Sequence, residues 1–375
     1  MTLYLFVSAS LGLFYILLMC YYTAGWKQLK TFVTPTEFTP TTYVSVIIPA
    51  RNEEKNITQL IHCLLKQNYP KHLLDIVVVD DNSTDRTAEI VKQFENEGVR
   101  LLRQEQLDNN RAYKKKAIDY AISQCQSTII ITTDADCRMK ENWVRCIVAY
   151  QNKHKACFIS SLVVMHPTTS VFQKFQALEF AGLVGIGAAA LAHRHPNMCN
   201  GANVAYLKEA YHAVNGFQGN ENIPSGDDEF LMHKMFAAFA QGVLFLKSNE
   251  AVVSTHAAST LKEFIHQRIR WVSKSTKYQN KRITQILALC YLFNLSLLAN
   301  FIGMFFSPTL LYLFTLQMAL KIIFEGVLLR KVTEYVNLHK LIIWLIPEQL
   351  LHVVYVVVIG FLGNTRTYQW KGRKV

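Results

Sequence analysis

No Cys-x-x-Cys pair occurs in this chain, and its 8 cysteines (Cys20, Cys63, Cys125, Cys137, Cys146, Cys157, Cys199, Cys290) show no zinc-site spacing. A zinc core is therefore not expected, and the thiols read as buried groups in a reducing compartment. The sequons at Asn56, Asn82 and Asn294 then count as chance matches. Charge is also scarce, at 18% of the 375 residues against 51% hydrophobic. That balance leans toward a membrane protein without being uniformly apolar. Acidic residues are outnumbered, and the formal net charge of +12 alone would suggest a nucleic-acid partner. The cations do not form one patch, however. Many flank apolar segments: Lys27, Lys30, Lys281, Arg282, Arg330, Lys331, Lys371, Arg373 and Lys374. Cations there mark cytoplasmic loops and meet anionic head groups, so no nucleic-acid partner is expected.

The first long apolar run, residues 3–22, has neither a positive leader nor a small-residue cleavage site, and Lys27 and Lys30 follow it. It reads as an anchor with the N-terminus outside and residue 27 inside. Residues 283–306, 308–329 and 341–362 are apolar enough for three more membrane segments. The third carries Pro347, Glu348 and His352, which lipid tolerates only when they are buried in protein or line a cavity. Three full crossings would leave the basic tail outside, so one segment is expected to be re-entrant or interfacial. The expected organisation is an anchor (1–26), a cytoplasmic catalytic domain (41–281), C-terminal membrane segments (282–364) and a basic tail (365–375). The protein is then integral to the inner or plasma membrane.

Between the apolar ends the pattern alternates strands and helices. Val44–Pro49, Asp75–Val79, Arg100–Arg103 and Thr128–Thr132 read as strands, with the second and fourth followed by acidic motifs. Ile57, Leu60, Ile61, Leu64 and Leu65 fall on one helical face. Helices are also expected over 84–97, with Gly98 as its stop, over 112–124, and from Gly226 to Ala240. This is an α/β fold with a mainly parallel sheet, whose ligands bind at the carboxyl ends of the strands. Residues 172–193 are unusually apolar for such a domain and suit either an interfacial helix or core packing.

Five polar motifs carry the chemistry. Asp134 and Asp136 stand two apart after Ile129–Ile131, where one hard cation, Mg²⁺ or Mn²⁺, can meet both carboxylates and diphosphate oxygens. Asp80-Asp81-Asn82-Ser83-Thr84-Asp85 places adjacent carboxylates that suit ribose hydroxyls and base N–H groups, while Thr84 or Asp85 caps the next helix. Pro49-Ala50-Arg51-Asn52-Glu53-Glu54 ends the first strand where a nucleotide can lie. Gly226-Asp227-Asp228-Glu229 starts a helix, where an ionised carboxylate can act as a general base. Gln267-Arg268-Ile269-Arg270-Trp271 offers a planar cation and an indole to a diphosphate. Each motif alone has a plain structural explanation in capping, dipole stabilisation or head-group contact.

Taken in order, Val46–Glu53, Val79–Asp85, Asp134-Ala135-Asp136, Gly226-Asp227-Asp228 and Gln267–Trp271 resemble the family 2 glycosyltransferases over roughly two-thirds of the chain. The resemblance implies a GT-A fold, binding a nucleotide-diphospho-sugar, with inversion at the anomeric carbon. It implies that Pro49, Arg51, Glu53 and Asp81 line the nucleotide, with Asp81 on the base. Asp134 would meet the nucleotide or diphosphate, and Asp136, with Asp134, the metal. Asp228 would be the catalytic base, and Gln267, Arg270 and Trp271 would hold the diphosphate and acceptor end. Lys114 stands at the family's Gly-Lys position, with Tyr113 in place of the glycine. Asn200–Asn203 and Gly216-Phe217 resemble positions near the acceptor cleft, and Trp370-Lys371-Gly372-Arg373 resembles the end of ceramide glucosyltransferase-like members.

The expected activity is hexosyl transfer, with UDP the expected donor nucleotide, to a membrane-associated lipid or glycan hydroxyl. A processive polysaccharide synthase, a polyprenyl-phosphate sugar synthase and a non-catalytic nucleotide-sugar-binding subunit are the alternatives. A cysteine placed at Val375 should resist membrane-impermeant maleimide in intact cells; labelling from outside would contradict the cytoplasmic tail.

Overall fold

The computed structural model of the chain describes residues 1–103, 113–166, 168–221, 223, 225–275, 277–365, 369–370 and 373–374. In chain order its helices are α1 (Thr2–Gln28), α2 (Ile57–Leu65), α3 (Thr87–Lys92), α4 (Tyr113–Ser123), α5 (Trp143–His154), α6 (Val171–Ala192), α7 (Lys208–Ala213), α8 (Asp227–Ala238), α9 (Leu261–Val272), α10 (Lys281–Gly303), α11 (Pro308–Tyr335) and α12 (Leu345–Thr365). The strands are β1 (Val44–Ala50), β2 (Leu74–Asp80), β3 (Val99–Arg103), β4 (Ile129–Thr132), β5 (Arg138–Met139), β6 (Phe158–Ser161), β7 (Val163–Met165), β8 (Val204–Leu207), β9 (Val243–Leu246) and β10 (Val253–Thr255), with a two-residue pair near the C-terminus. The chain forms two compact units, one of Gln28–Pro167 with Ala190–His256, the other of Met1–Lys27, Thr168–Ala189 and Ala257–Val375.

The first unit holds a seven-stranded sheet in the order β3-β2-β1-β4-β8-β6-β9. β1 runs parallel to β2 and β4, β2 to β3, and β6 to β9; β8 alone opposes its neighbours. The sheet is thus mostly parallel. Val44, Val46, Ile47 and Ile48 are all at 0% exposure, the burial a strand covered on both faces requires. Ser45 is buried with them, and its hydroxyl donates to Asp75 (2.9 Å), which Arg100 also bonds (2.8 Å). The polar residue in β1 therefore has its partner on the adjacent strand. A smaller sheet, β5-β10-β7, stands beside the large one in the same unit.

Helix α2 buries Ile57, Leu60, Ile61 and Leu64, as their spacing requires, and leaves Leu65 half-buried. The helix expected over 84–97 is shorter. Neither Thr84 nor Asp85 is its cap: Arg86 holds that position, and the Asp85 carboxylate accepts from Thr87 N (3.0 Å) and Thr87 Oγ1 instead. The last turn tightens to a 3-10 helix over Glu95–Glu97 while Phe94 packs on His62, and Gly98 ends it at φ +94°.

In the second unit, α1, α6, α10, α11 and the segment His339–Gly363 containing α12 are long and apolar enough to cross a membrane. In α6 61% of the apolar window is buried, against 22–28% in the other four, so α6 is the one wrapped by protein. Its glycines allow this. A Cβ at Gly185 would stand 2.6 Å from Val332 Cγ2, so only a glycine lets α6 approach α11 so closely. Glu348 is buried in protein, as its position in an apolar segment demands, and Pro347 falls in the first turn of α12 where no backbone hydrogen bond is lost.

Two buried polar layers join these helices. Asn300 donates to Gln317 Oε1 (2.9 Å) and Ser8 Oγ (3.1 Å), and Gln317 donates to Ser8 O (2.8 Å). Deeper along α11, fully buried Lys321 donates to Glu325 Oε1 (2.6 Å) and to Gln349, and lies 3.3 Å from His352 Nδ1. Tyr15 and Gln349 both donate to the Glu325 carboxylate. A charge in an apolar bundle is stable only while its partner remains. Lys321→Leu should therefore cost about 3–5 kcal/mol of stability, and Lys321→Leu with Glu325→Leu markedly less. Thermal unfolding in detergent checks this; a double variant no more stable than the single one would contradict it.

Candidate active site

The carboxyl ends of β1 and β2 carry two loops that are stitched to each other. Arg51 Nη1 donates to the carbonyls of Asp81 (2.6 Å) and Asn82 (2.8 Å), and Asp81 N returns to Ala50 O (2.9 Å). Asn52 N donates to Ser83 Oγ (3.0 Å), and Thr84 N to Asn52 Oδ1 (2.8 Å). Glu53 N donates to Thr87 Oγ1 (2.8 Å), and Glu54 N to Asp85 Oδ2 (3.1 Å). Asn52 and Asn82 both hold φ +53°, a left-handed turn that asparagine accepts more readily than bulkier residues. Arg51 thus fixes the loop around Asp81, whose side chain is buried, and Pro49 lies in β1 opposite Val79. The half-buried Glu53 carboxylate accepts from Asn56 Nδ2 (2.9 Å).

Next to β1, and two strand spacings or roughly 10 Å from β2, β4 ends at Thr132 and leads into Asp134 and Asp136. Its neighbour β8 opposes it, so the turn before β8 arrives at the same sheet edge: Thr132 pairs with Val204, and Thr132 Oγ1 donates to Gly201 O (3.1 Å). The start of α8 reaches that turn. Gly201 N donates to Asp228 Oδ2 (2.6 Å), and Glu229 N to Asp228 Oδ1 (2.8 Å). Lys114, in the first turn of α4, closes the group: its Nζ is 2.9 Å from Asp134 Oδ1 and 3.2 Å from Asp227 Oδ2. A Cβ on Gly201 would lie 3.3–3.4 Å from Asp227 Oδ2, Asp228 Oδ2 and Lys114 Nζ. Residues from three separate motifs therefore meet around one glycine.

The electrostatics follow from that meeting. Burial alone would lower the Lys114 ammonium, but Asp134 and Asp227 outweigh it and raise it above the usual lysine range. Burial would likewise raise the Asp227 carboxyl, yet Lys114 holds it below the ordinary carboxylate range. Asp136 Oδ2 accepts from Thr255 Oγ1 (3.0 Å) on β10, and Cys137 Sγ lies 3.8 Å from Asp136 Oδ1. Burial, then Asp136 and Asp134, push the Cys137 thiol up, so it is a protonated core group and not a thiolate ligand.

Gln267, Arg270 and Trp271 lie on α9 in the other unit. There Gln267 Oε1 accepts from Arg268 Nη1 (2.6 Å), and the Trp271 ring stands 5.9 Å from Phe180. Arg270 is half-buried. Thr255 had no role in the sequence reading, and Asp227 and Gly201 stood there only inside the Gly226-Asp227-Asp228 and Asn200–Asn203 motifs, without roles of their own. Asp227 adjoins the expected base, whereas Thr255 is 119 residues from Asp136 and has no local signal.

The sequence profile described as "Glycosyl transferase family 2" matches residues 45–212, and "Glycosyl transferase family group 2" matches residues 129–362, more than half of the chain. The chain belongs to glycosyltransferase family 2. This family 2 enzyme is similar to poly(ribitol-phosphate) beta-N-acetylglucosaminyltransferase TarS of Staphylococcus aureus, 34% identical over 110 residues, 29% of this chain and 19% of TarS. It is also similar to beta-monoglucosyldiacylglycerol synthase of Synechocystis sp., 30% identical over 111 residues, 30% of this chain and 23% of that one. To glycosyltransferase AglE of Haloferax volcanii it is 32% identical over 104 residues, 27% of this chain and 33% of AglE. The matches span a third or less of those relatives' length. In fold the enzyme is similar to the mannosyltransferase PcManGT of Pyrobaculum calidifontis, solved in complex with GDP-Man and Mn²⁺, with a TM-score of 0.62 and 17% identity over 92% of this chain and 99% of that one. The GT-A fold expected from the motifs is the fold observed. The likeness to ceramide glucosyltransferase-like members is not specifically supported, and Lys371 and Gly372 of its short motif lie outside the described residues.

A divalent metal fits the residues at the sheet edge. Among the described residues no three His, Cys, Asp or Glu side chains are placed to hold one metal ion between them, so a closed protein cage of the zinc type is not built. Two strand-end carboxylates suit Mg²⁺ or Mn²⁺, which take one or two protein carboxylates and fill their shells with water and phosphate oxygens.

Lys114→Met should leave Asp134, Asp227 and Asp228 mutually repelling, lowering both stability and sugar transfer. Asp227 is depressed in the folded state, so its ion pair stabilises above the unfolded carboxylate pKa and is lost as pH falls through the lower folded value. The stability gap between wild type and Lys114→Met should therefore be widest near neutral pH and narrow on acidification below the ordinary carboxylate range. Thermal midpoints across pH test this; a gap that widens on acidification contradicts it.

Proposed function

We propose that this glycosyltransferase moves a hexose-type sugar, with inversion, from a nucleotide-diphosphate donor to a hydroxyl of a membrane-associated lipid or glycan acceptor. The observation that carries this reading is the meeting of Asp134, Asp227, Asp228 and Lys114 around Gly201. Asp228 is the general base. Backbone N–H groups of Gly201 and Glu229 fix its carboxylate, and a carboxylate oxygen accepts more than one hydrogen bond. The acceptor hydroxyl gives its proton to Asp228 as its oxygen bonds the anomeric carbon. The bond from that carbon to the diphosphate oxygen breaks on the opposite face, and the nucleoside diphosphate leaves.

Asp136 and Asp134 would hold Mg²⁺ or Mn²⁺, and the ion would offset the charge that builds on the departing diphosphate. Pro49, Arg51, Glu53 and Asp81 line the nucleotide, with the Arg51 stitch holding the loop in which Asp81 is set. Gln267, Arg270 and Trp271 hold the diphosphate and the acceptor end. Residues 41–281 form the catalytic part on the cytoplasmic side of an inner or plasma membrane, with 1–26 and 282–364 in the bilayer. Lys27, Lys281 and Arg282 beside the apolar helices support that orientation.

A lipid acceptor is favoured over a long polymer. Five apolar helices support a substrate presented at a membrane, and one relative's name denotes a glucosyl-diacylglycerol product. Membranes containing the enzyme, given labelled UDP-glucose, UDP-N-acetylglucosamine and GDP-mannose with and without Mn²⁺, should pass label into the lipid extract only with metal. Asp228→Asn should lower that transfer about a hundredfold or more. Near-normal turnover by Asp228→Asn would reject it as the base, and label confined to a high-molecular-weight polymer would reject the lipid acceptor.

A further inference from the structure

Arg268 lies inside the segment Gln267–Trp271, but its side chain is 1% exposed and turned into its own unit. Its Nε donates to both oxygens of Glu179 on α6 (3.2 and 3.3 Å), and Nη2 donates to the same carboxylate. Its Nη1 donates to Gln267 Oε1 (2.6 Å). The guanidinium carbon stands 4.1 Å from the Trp271 ring centre and 4.6 Å from that of Phe264. Tyr355 on α12 lies beside both Glu179 and Arg268.

Helical geometry explains part of this arrangement. Residues three or four apart share a helix face, so Phe264, Arg268 and Trp271 stack as neighbours along α9. Gln267, one residue away, does not face Arg268 by default. The hydrogen bond draws its amide toward the guanidinium, whose orientation is set from outside α9 by Glu179. Only a planar cation can pair in this forked way, reach Gln267 and present a flat face to an indole; a lysine ammonium keeps the charge but loses the plane.

We propose that Arg268, clamped by Glu179, is a positioning residue that sets Gln267 and Trp271 for sugar transfer. The inference rests on the role given above to Gln267 and Trp271 in holding the diphosphate and acceptor end. Helix α6 thereby takes part in catalysis without touching substrate: its single carboxylate orients the motif on α9. A purely structural ion pair between α6 and α9 would need the charges but not the plane.

The test uses the full-length enzyme in nanodiscs supplemented with extracted cell lipid, with Mn²⁺ and UDP-glucose, UDP-N-acetylglucosamine or GDP-mannose. Arg268→Lys should keep a thermal midpoint close to wild type yet lower turnover about tenfold to a hundredfold, the scale of a misplaced positioning group. Gln267→Ala should lower turnover as well, and adding Arg268→Lys to it should cost little more, because one acts through the other. Wild-type turnover by Arg268→Lys, or losses that multiply in the double variant, would overturn the positioning role while leaving the motif's role intact. Wild-type turnover by both Gln267→Ala and Trp271→Ala would overturn the motif's role and this inference together. Should Arg268→Lys lose its thermal midpoint, Glu179→Gln in the Gln267→Ala background reads the same coupling, and additivity there overturns it.

Discussion

Like charges that must share a small space repel, and the carboxylates of Asp134, Asp227 and Asp228 are brought to one sheet edge by the end of β4 and the start of α8. Lys114 makes that meeting stable by standing between the strand-end acid and the helix-start acid. The position of Asp228 depends on it, because the turn at Gly201 that bonds Asp228 is also packed against Lys114. Carboxylates held this close together need such compensation before any ligand arrives. Asp136 is bonded by the Thr255 hydroxyl on β10.

The fold was legible where periodicity and strand chemistry agree. The parallel strands β1, β2 and β4 and the buried face of α2 follow from β-branched runs and from apolar residues at helical spacing. Less legible were features decided by contacts far apart in sequence. The antiparallel β8 in a mostly parallel sheet has no local signature, and it is β8 that delivers Gly201 to the site. The start of α3 was misplaced because Asp85 bonds one residue further in, inside a loop already held by Arg51 and Asn52. In the site, the acidic residues stood out as motifs. Lys114 gave no sign that it would join Asp134 to Asp227, since that pairing appears only when α4 and α8 fold against β4. Thr255 was invisible for the same reason.

The helices of the second unit obey a different constraint. Where water is scarce, each polar side chain needs a fixed partner, and the Ser8–Asn300–Gln317 and Lys321–Glu325–Gln349 layers supply these across α1, α10, α11 and α12. Arg268 follows the same rule with Glu179, and in doing so reaches Gln267 and Trp271. Burial of charge in this unit thus specifies how its helices pack.

Electron paramagnetic resonance of Mn²⁺ bound to the full-length enzyme with UDP or GDP tests the gathered carboxylate site most directly. The expected spectrum shows phosphorus hyperfine coupling from the nucleotide, weakened in Asp134→Asn and abolished in Asp136→Asn. Metal and nucleotide that bind without coupling, or coupling unchanged in Asp136→Asn, would contradict a single nucleotide-sugar pocket at this sheet edge.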